Sequence, residues 1–526
     1  MKVNGILLLL LALAWRGAAS QPSGQIFTVI LEGGQVYDGL GNPPVRADVG
    51  LLGDRIAAIG DLSGRRAATR IDAAGLAVVP GFIDIHSHGD RDIFLRPDAG
   101  NYLRQGVTTI IAGPDGSSLH PIGEALGRLD ARPGAVNFGT MIGHGTVRGE
   151  VLGNENRAPT ASELERMKQL VDIGMREGAF GLSSGLKYVP GAYATTEEVI
   201  ELARVAGRYG GIYISHMRDE GLGLMESVHE TIRIGEEGRL PTQLTHHKVI
   251  GKAMWGSSIE TLRLVDEART RGIDVSMDLY PYTASSTGLT VLFPSWSLEG
   301  TQGDLVGRLR DPEQRARIRE AILFSLREDR GGGDPANVAV AYCPWDTTLN
   351  GKNLSDILRE RGQDATLENA AELAMDLQEK GGFSGIFYAM QEEDVRRIMQ
   401  HPMTMIASDG GIPAPGVGKP HPRNYGTFAR VLGTYARDEN VLSIPEALRK
   451  MSSLPAWRLG LADRGVLRPG AMADVAVINL DTVADPATFQ DPHRYSQGVV
   501  HVFVNGQAAL IDGEPTGIRA GRALRH

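Results

Sequence analysis

His86 and His88 stand one residue apart at the end of an apolar run, Pro80-Gly-Phe-Ile-Asp-Ile-His-Ser-His88. Such a run reads as a buried strand. Side chains at i and i+2 of an extended segment point to the same side, so both imidazoles aim at one point where the strand ends. Imidazole is a common ligand for zinc and similar ions. A bare HxH pair is as often structural as ligating, but the strand-end pattern recurs along this chain. Asp115 follows Gly113-Pro, His144 lies in Gly-His-Gly, and Lys187 ends Gly-Leu-Ser-Ser-Gly-Leu-Lys. His216 follows Ile-Ser, His246 and His247 precede Lys248, and Asp409 follows Ile-Ala-Ser. Lys187, His216 and His246 are each one strand-helix unit apart, which predicts similar heights on neighbouring strands.

Histidines with a carboxylate suit a borderline divalent cation, zinc foremost. One or two ions fit, and two are favoured. Two ions need a bridge. An ammonium has no acceptor and cannot ligate, but a lysine carboxylated by carbon dioxide carries two anionic oxygens, and Lys187 is the candidate. Asp115 is a further candidate for bridging or supporting the metal. The candidate ligands at these strand ends are therefore His86, His88, Asp115, His144, Lys187, His216, His246, His247 and Asp409. An ion would lower the pKa of water from 15.7 to about 7 and polarise a carbonyl. Asp409 would take the proton of the attacking water and return it to the leaving group. His144 and Tyr280 are candidates to stabilise negative charge on oxygen. His120, His229, His401, His493 and His501 read as structural or surface residues.

Alternating strand and helix patterns must position these groups. Eight strand-like runs end near His88, Asp115, His144, Lys187, His216, His246, Tyr280 and Asp409. The intervening segments have helical spacing, and Thr195-Thr-Glu-Glu198 reads as a capping box opening a helix through Arg208. The fold class is α/β, a (β/α)8 TIM barrel over 81–459, with catalytic groups at the C-terminal strand ends. The long interval at about 289–400 predicts an insertion over the barrel mouth, or else a separate domain. Short strands with Gly-rich turns in 24–80 and 460–526 predict a small β-sandwich built from both termini.

Residues 1–20 have the form of a signal peptide: Lys2, an apolar run from Ile6 to Trp15, then Gly17-Ala-Ala-Ser20. An uncleaved anchor is the alternative, but Arg16 and the small residues favour cleavage and an exported, periplasmic or secreted protein with no membrane attachment afterwards. The net charge of −9 gives no reason to expect nucleic-acid binding, and the single Cys343 excludes an internal disulfide and a cysteine-based zinc cluster. Oligomeric state is not readable.

Pro80-Gly-Phe-Ile-Asp-Ile-His-Ser-His resembles the opening signature of the amidohydrolase superfamily, and Gly465-Val-Leu-Arg-Pro-Gly-Ala-Met-Ala-Asp474 its closing one. Within it, Gly181 to Gly191, His216-Met-Arg-Asp-Glu, His246-His-Lys, Asp278-Leu-Tyr-Pro-Tyr-Thr-Ala and His421-Pro-Arg-Asn-Tyr resemble D-aminoacylases. The resemblance implies hydrolysis of the amide bond of small N-acyl-D-amino acids. A dipeptidase or a cyclic-amide hydrolase is the alternative, and a catalytically inactive scaffold a minor one. It implies His86, His88 and Asp409 on one metal and His216 and His246 on the other. It also implies Lys248, Tyr280, Ser286 and Arg423 around the substrate's carboxylate. The chain departs from the best-known D-aminoacylases in having Asp115 where they have a cysteine, and in having Lys187.

Overall fold

The computed structural model describes residues 26–526. The expected signal peptide, 1–20, lies outside them. Eight short segments form the parallel framework: β1 (Phe82–Asp84), β2 (Val107–Ala112), β3 (Asn137–Thr140), β4 (Gly181–Gly185), β5 (Ile212–His216), β6 (Thr242–Leu244), β7 (Val275–Leu279) and β8 (Thr404–Ile406). After Met141, β3 resumes as Ile142–Gly143. All eight are buried along their lengths, as expected of strands covered on both faces.

The strands pair as two parallel sheets. One has the order β1-β2-β3, and the other runs β8-β7-β6-β5-β4 and ends on Ile142–Gly143. The break falls at Met141: residues before it pair with β2, residues after it with β4. The expected closed eight-stranded barrel is therefore not present as one continuous ladder among the described residues. On the far side, a parallel bridge between Ser87 and Gly410 joins the extensions of β1 and β8. Asp409 N there donates to His86 O at 2.9 Å and His88 N to Gly410 O at 2.6 Å. This seam ties the HxH segment to Asp409.

Amphipathic helices cover the strands, including Ala161–Arg176, Thr196–Gly207, Leu224–Gly238 and Ser258–Thr270. Half of the capping box expected at Thr195 forms. Thr195 Oγ1 accepts from Glu198 N at 3.2 Å, but the Glu198 carboxylate turns inward to His144 and Arg148.

Strands from both ends of the described chain, between Phe27 and Pro80 and between Val475 and Pro515, pair as one nine-stranded mixed sheet. A β-sandwich of two separate sheets is not what the pairing shows. Alternation places Val475 and Val477 in this sheet's own core, while Ala476 and Ile478 join the main core.

Between β7 and β8 the chain builds an inserted segment. Ser285–Gly288, Val338–Tyr342 and Ser384–Phe387 form a three-stranded antiparallel sheet. With helices Gln302–Arg310, Pro312–Glu328 and Leu367–Glu379 it encloses a separate hydrophobic core, including Leu305, Ile322, Leu326 and Phe387. The segment is narrower at its C-terminal end than 289–400: helix Glu392–Gln400 contacts β7, β8 and the helix Ser258–Thr270, and so belongs to the covering layer.

Candidate metal centre

Six side chains from five strand ends converge. Asp115 is at the middle. Its Oδ1 lies 3.5 Å from His86 Nε2 and 3.3 Å from His246 Nε2. Its Oδ2 lies 3.4 Å from His88 Nε2 and 3.7 Å from His216 Nδ1. Asp409 Oδ1 faces His88 at 3.0 Å and His86 at 3.6 Å. Two overlapping sets result, His86-His88-Asp115-Asp409 and Asp115-His216-His246, each with ligand atoms within 4.8 Å of one another. Asp115 is common to both.

Several of these atoms are buried without a hydrogen-bond partner: both ring nitrogens of His86 and of His216, and Asp115 Oδ1. Orphaned buried polar atoms are costly. A divalent cation would satisfy Asp115 Oδ1 and the one nitrogen of each ring that faces it, while His86 Nδ1 lies 3.6 Å from Asp278 and His216 Nε2 3.6 Å from Glu220. The donor set, imidazole nitrogens and carboxylate oxygens, suits zinc. The electrostatics agree. Burial opposes the charged form of His88, yet the Asp115 and Asp409 carboxylates outweigh it and raise its pKa to about 9. Burial lowers His216 to about 4 and leaves it neutral, as a ligand must be. The site draws positive charge, and the residues fit one or two metal ions.

The backbone is bent to make this convergence. Asp115, His246 and Asp409 all have positive φ, at 54°, 35° and 49°, a region few non-glycine residues adopt. His246 is held there because its N–H donates to Asp278 Oδ1 at 2.8 Å.

The candidates carried from the sequence divide clearly. Lys248, Tyr280, Ser286 and Arg423 line the cavity above the cluster, about 720 Å³ in volume. Arg423 Nη1 sits 2.8 Å from Asp409 Oδ2. Two expectations fail. Lys187 is outside both ligand sets: it lies beyond the end of β4, its Nζ is 3.4 Å from Asp329, and it lines a different, smaller cavity. Its amine does not reach the cluster, and Asp115 is the residue shared by the two ligand sets. His144, expected as an oxyanion donor, does not line the main cavity, and its Nε2 is paired with buried Glu198 at 2.8 Å.

The sequence reading missed Glu220 and Arg330. Glu220 is buried 3.6 Å from His216 Nε2 and 3.2 Å from His246 Nδ1. It accepts from Lys248 Nζ at 2.5 Å and from Arg330 Nη2 at 2.9 Å. The four-residue spacing from His216 was a signal for Glu220; Arg330, far along the chain, had none.

The Amidohydrolase family pattern matches residues 69–289 and 345–509. Over 96% of its length the chain is 39% identical to a D-aminoacylase of Alcaligenes xylosoxydans xylosoxydans, covering 99% of that protein. The chain belongs to the amidohydrolase family. Two solved structures place it further within that family. One is a D-aminoacylase described with a binuclear metal centre, 38% identical, TM-score 0.81, covering 95% of this chain and 100% of that one. The other is an N-acyl-D-glutamate deacylase from Bordetella bronchiseptica, complexed with zinc and a phosphonate that mimics the tetrahedral intermediate. It is 34% identical, with TM-score 0.83 and the same coverage. In this amidohydrolase the match is interrupted between 289 and 345, inside the inserted segment that carries Arg330.

Proposed function

We propose that the protein hydrolyses the amide bond of N-acyl-D-amino acids, with two zinc ions held between the histidine pairs. The observation that carries this reading is the position of Asp115: one carboxylate faces all four histidines. On this account His86, His88 and Asp409 would hold one ion and His216 and His246 the other, with Asp115 within reach of both. Lys187 remains an amine and carbon dioxide is not a cofactor. When bound, the metal acidifies water and polarises the scissile carbonyl.

The chain's own groups do the rest. Asp409 is held well below the ordinary carboxylate range. Burial works against its charge, but Arg423 and the neighbouring imidazoles outweigh it. It is therefore ionised, and in this reading it would take a proton from the attacking water and pass it to the leaving nitrogen. Arg423 presents a buried Nη1 without a hydrogen-bond partner. A substrate carboxylate would satisfy it, and arginine binds carboxylates with two donors. Lys248, Tyr280 and Ser286 line the same cavity and would complete the surroundings of that carboxylate. The D preference rests on the relatives' names.

The two parallel sheets are read as halves of a (β/α)8 barrel, supported by the strand order and the Ser87–Gly410 seam. Export rests on residues 1–20 alone, and N-terminal sequencing of the mature protein tests it. For activity, the test is a panel of N-acetyl-D- and L-amino acids, dipeptides and hydantoins, assayed with and without chelation. The reading expects turnover of the N-acetyl-D-amino acids, abolished by chelation and restored by zinc. Turnover confined to dipeptides or hydantoins, or indifferent to chelation, would overturn it.

A further inference from the structure

The inserted segment reaches the metal centre through one turn. Asp329 and Arg330 follow directly on the helix Pro312–Glu328. These two adjacent residues contact two different strand-end loops. Asp329 Oδ2 pairs with Lys187 Nζ beyond β4 at 3.4 Å, and Arg330 Nη2 pairs with Glu220 beyond β5 at 2.9 Å. Arg330 is 2% exposed although it belongs to a segment with its own core. The approach is tight. A Cβ on Gly251, in the loop beyond β6, would lie 2.5 Å from Glu328 O.

Glu220 is the hub of this contact. Its two oxygens divide between Lys248 and Arg330, the same carboxylate faces His216 at 3.6 Å and His246 at 3.2 Å, and Lys248 Nζ in turn bonds His246 Nδ1 at 2.6 Å. Groups that hold a metal-ligating imidazole from behind fix its orientation and basicity. Removing one partner of a buried ion pair leaves the other charge uncompensated. Removing Arg330 would therefore leave Glu220 Oε2 without its cation, with Lys248 still on Oε1 at 2.5 Å, and free the carboxylate that faces the His216–His246 pair to move.

We propose that Arg330 is a positioning residue: seated by the Asp329–Lys187 contact, it carries the inserted segment's docking to Glu220 and so sets the second metal pair and Lys248. This rests on the metal-centre reading above. It also gives Lys187 a role that the metal site does not.

The test follows zinc release from the purified full-length holoenzyme to a chromogenic chelator, together with kcat and KM. The variants are Arg330→Met, Arg330→Lys, Glu220→Gln and the double variant Glu220→Gln/Arg330→Met. Arg330→Met is expected to speed release of one ion by about 10- to 100-fold, and Arg330→Lys to restore part of the loss. In the Glu220→Gln background, Arg330→Met should change release less than about twofold, because the pair acts as one unit. Equal effects of Arg330→Met in both backgrounds, or unchanged release, would overturn the proposal. If Arg330→Met does not fold, the exchange Lys187→Asp/Asp329→Lys decides. Each single change should speed release and the pair should recover it; no recovery counts against the proposal. A wild-type protein that purifies with no metal at all would instead refute the metal-centre reading.

Discussion

Arg423 Nη1 lies 2.8 Å from Asp409 Oδ2, yet the two are not aligned as a hydrogen bond. The guanidinium thus compensates the charge of Asp409 while keeping a buried donor for another acceptor. A hydrogen bond to a charged group is worth about 1.5–3 kcal/mol. Arg423→Met should therefore lower kcat/KM for N-acyl-D-amino acids by about tenfold to a hundredfold, mostly through KM, with Arg423→Lys recovering only part. Steady-state kinetics on an acid and on its uncharged amide analogue checks this. An equal loss on both would place Arg423 outside carboxylate recognition.

Asp409 is the proton carrier of the account. Asp409→Asn keeps the shape and loses the basic oxygen, so kcat should fall by about 10²- to 10⁴-fold. The ion at His216 and His246 should stay bound. Metal content measured beside kcat distinguishes a lost base from a lost metal.

Lys187 gives the opposite expectation. Because its amine meets Asp329 and not the ligand sets, Lys187→Met should purify with the full metal content, though it releases one ion faster than wild type as the seat of Arg330 loosens, and added bicarbonate should change neither wild type nor variant. A partly exposed ion pair contributes up to about 1 kcal/mol, so activity should fall no more than about fivefold. Loss of one ion, rescued by a short carboxylic acid, would restore the carboxylated-lysine bridge.

The strand-end spacing made most of this site legible. Period-2 alternation puts His86 and His88 on one side, and one strand-helix unit separates His216 from His246. The same logic misled at Lys187. A residue counted as a strand end lies beyond Gly185, where the period-2 rule no longer says where a side chain points. His144 failed for another reason, because Glu198 on a later helix captures its ring. Arg330 was invisible because its partner Glu220 is distant in sequence, and only the docking of an inserted segment brings them together. The terminal strands were readable as β structure, but their joining into one sheet depends on pairing across nearly the whole chain.

Away from the site, Lys450 is a buried cation whose Nζ donates to the Thr404 carbonyl at 3.1 Å and also to that of His401. Burial pushes it down to about 8 from an ordinary 10.5, with Glu446 only partly opposing. The unfolded chain then binds this proton more tightly than the folded one. Its contribution to stability is lowest below about pH 8 and rises by at most about 3 kcal/mol as pH climbs toward 10.5. Denaturant unfolding of wild type and Lys450→Met from pH 7 to 10.5 should show the wild type gaining on the variant. Parallel curves would mean that Lys450 is not shifted.

The most direct measurement is anomalous diffraction at the zinc edge from crystals of the purified protein. The account predicts two ions, one against His86, His88 and Asp409 and one against His216 and His246, each in contact with an oxygen of Asp115, with no density beyond the Lys187 amine. An empty cluster, or ions bridged by Lys187 with Asp115 turned away, would contradict it.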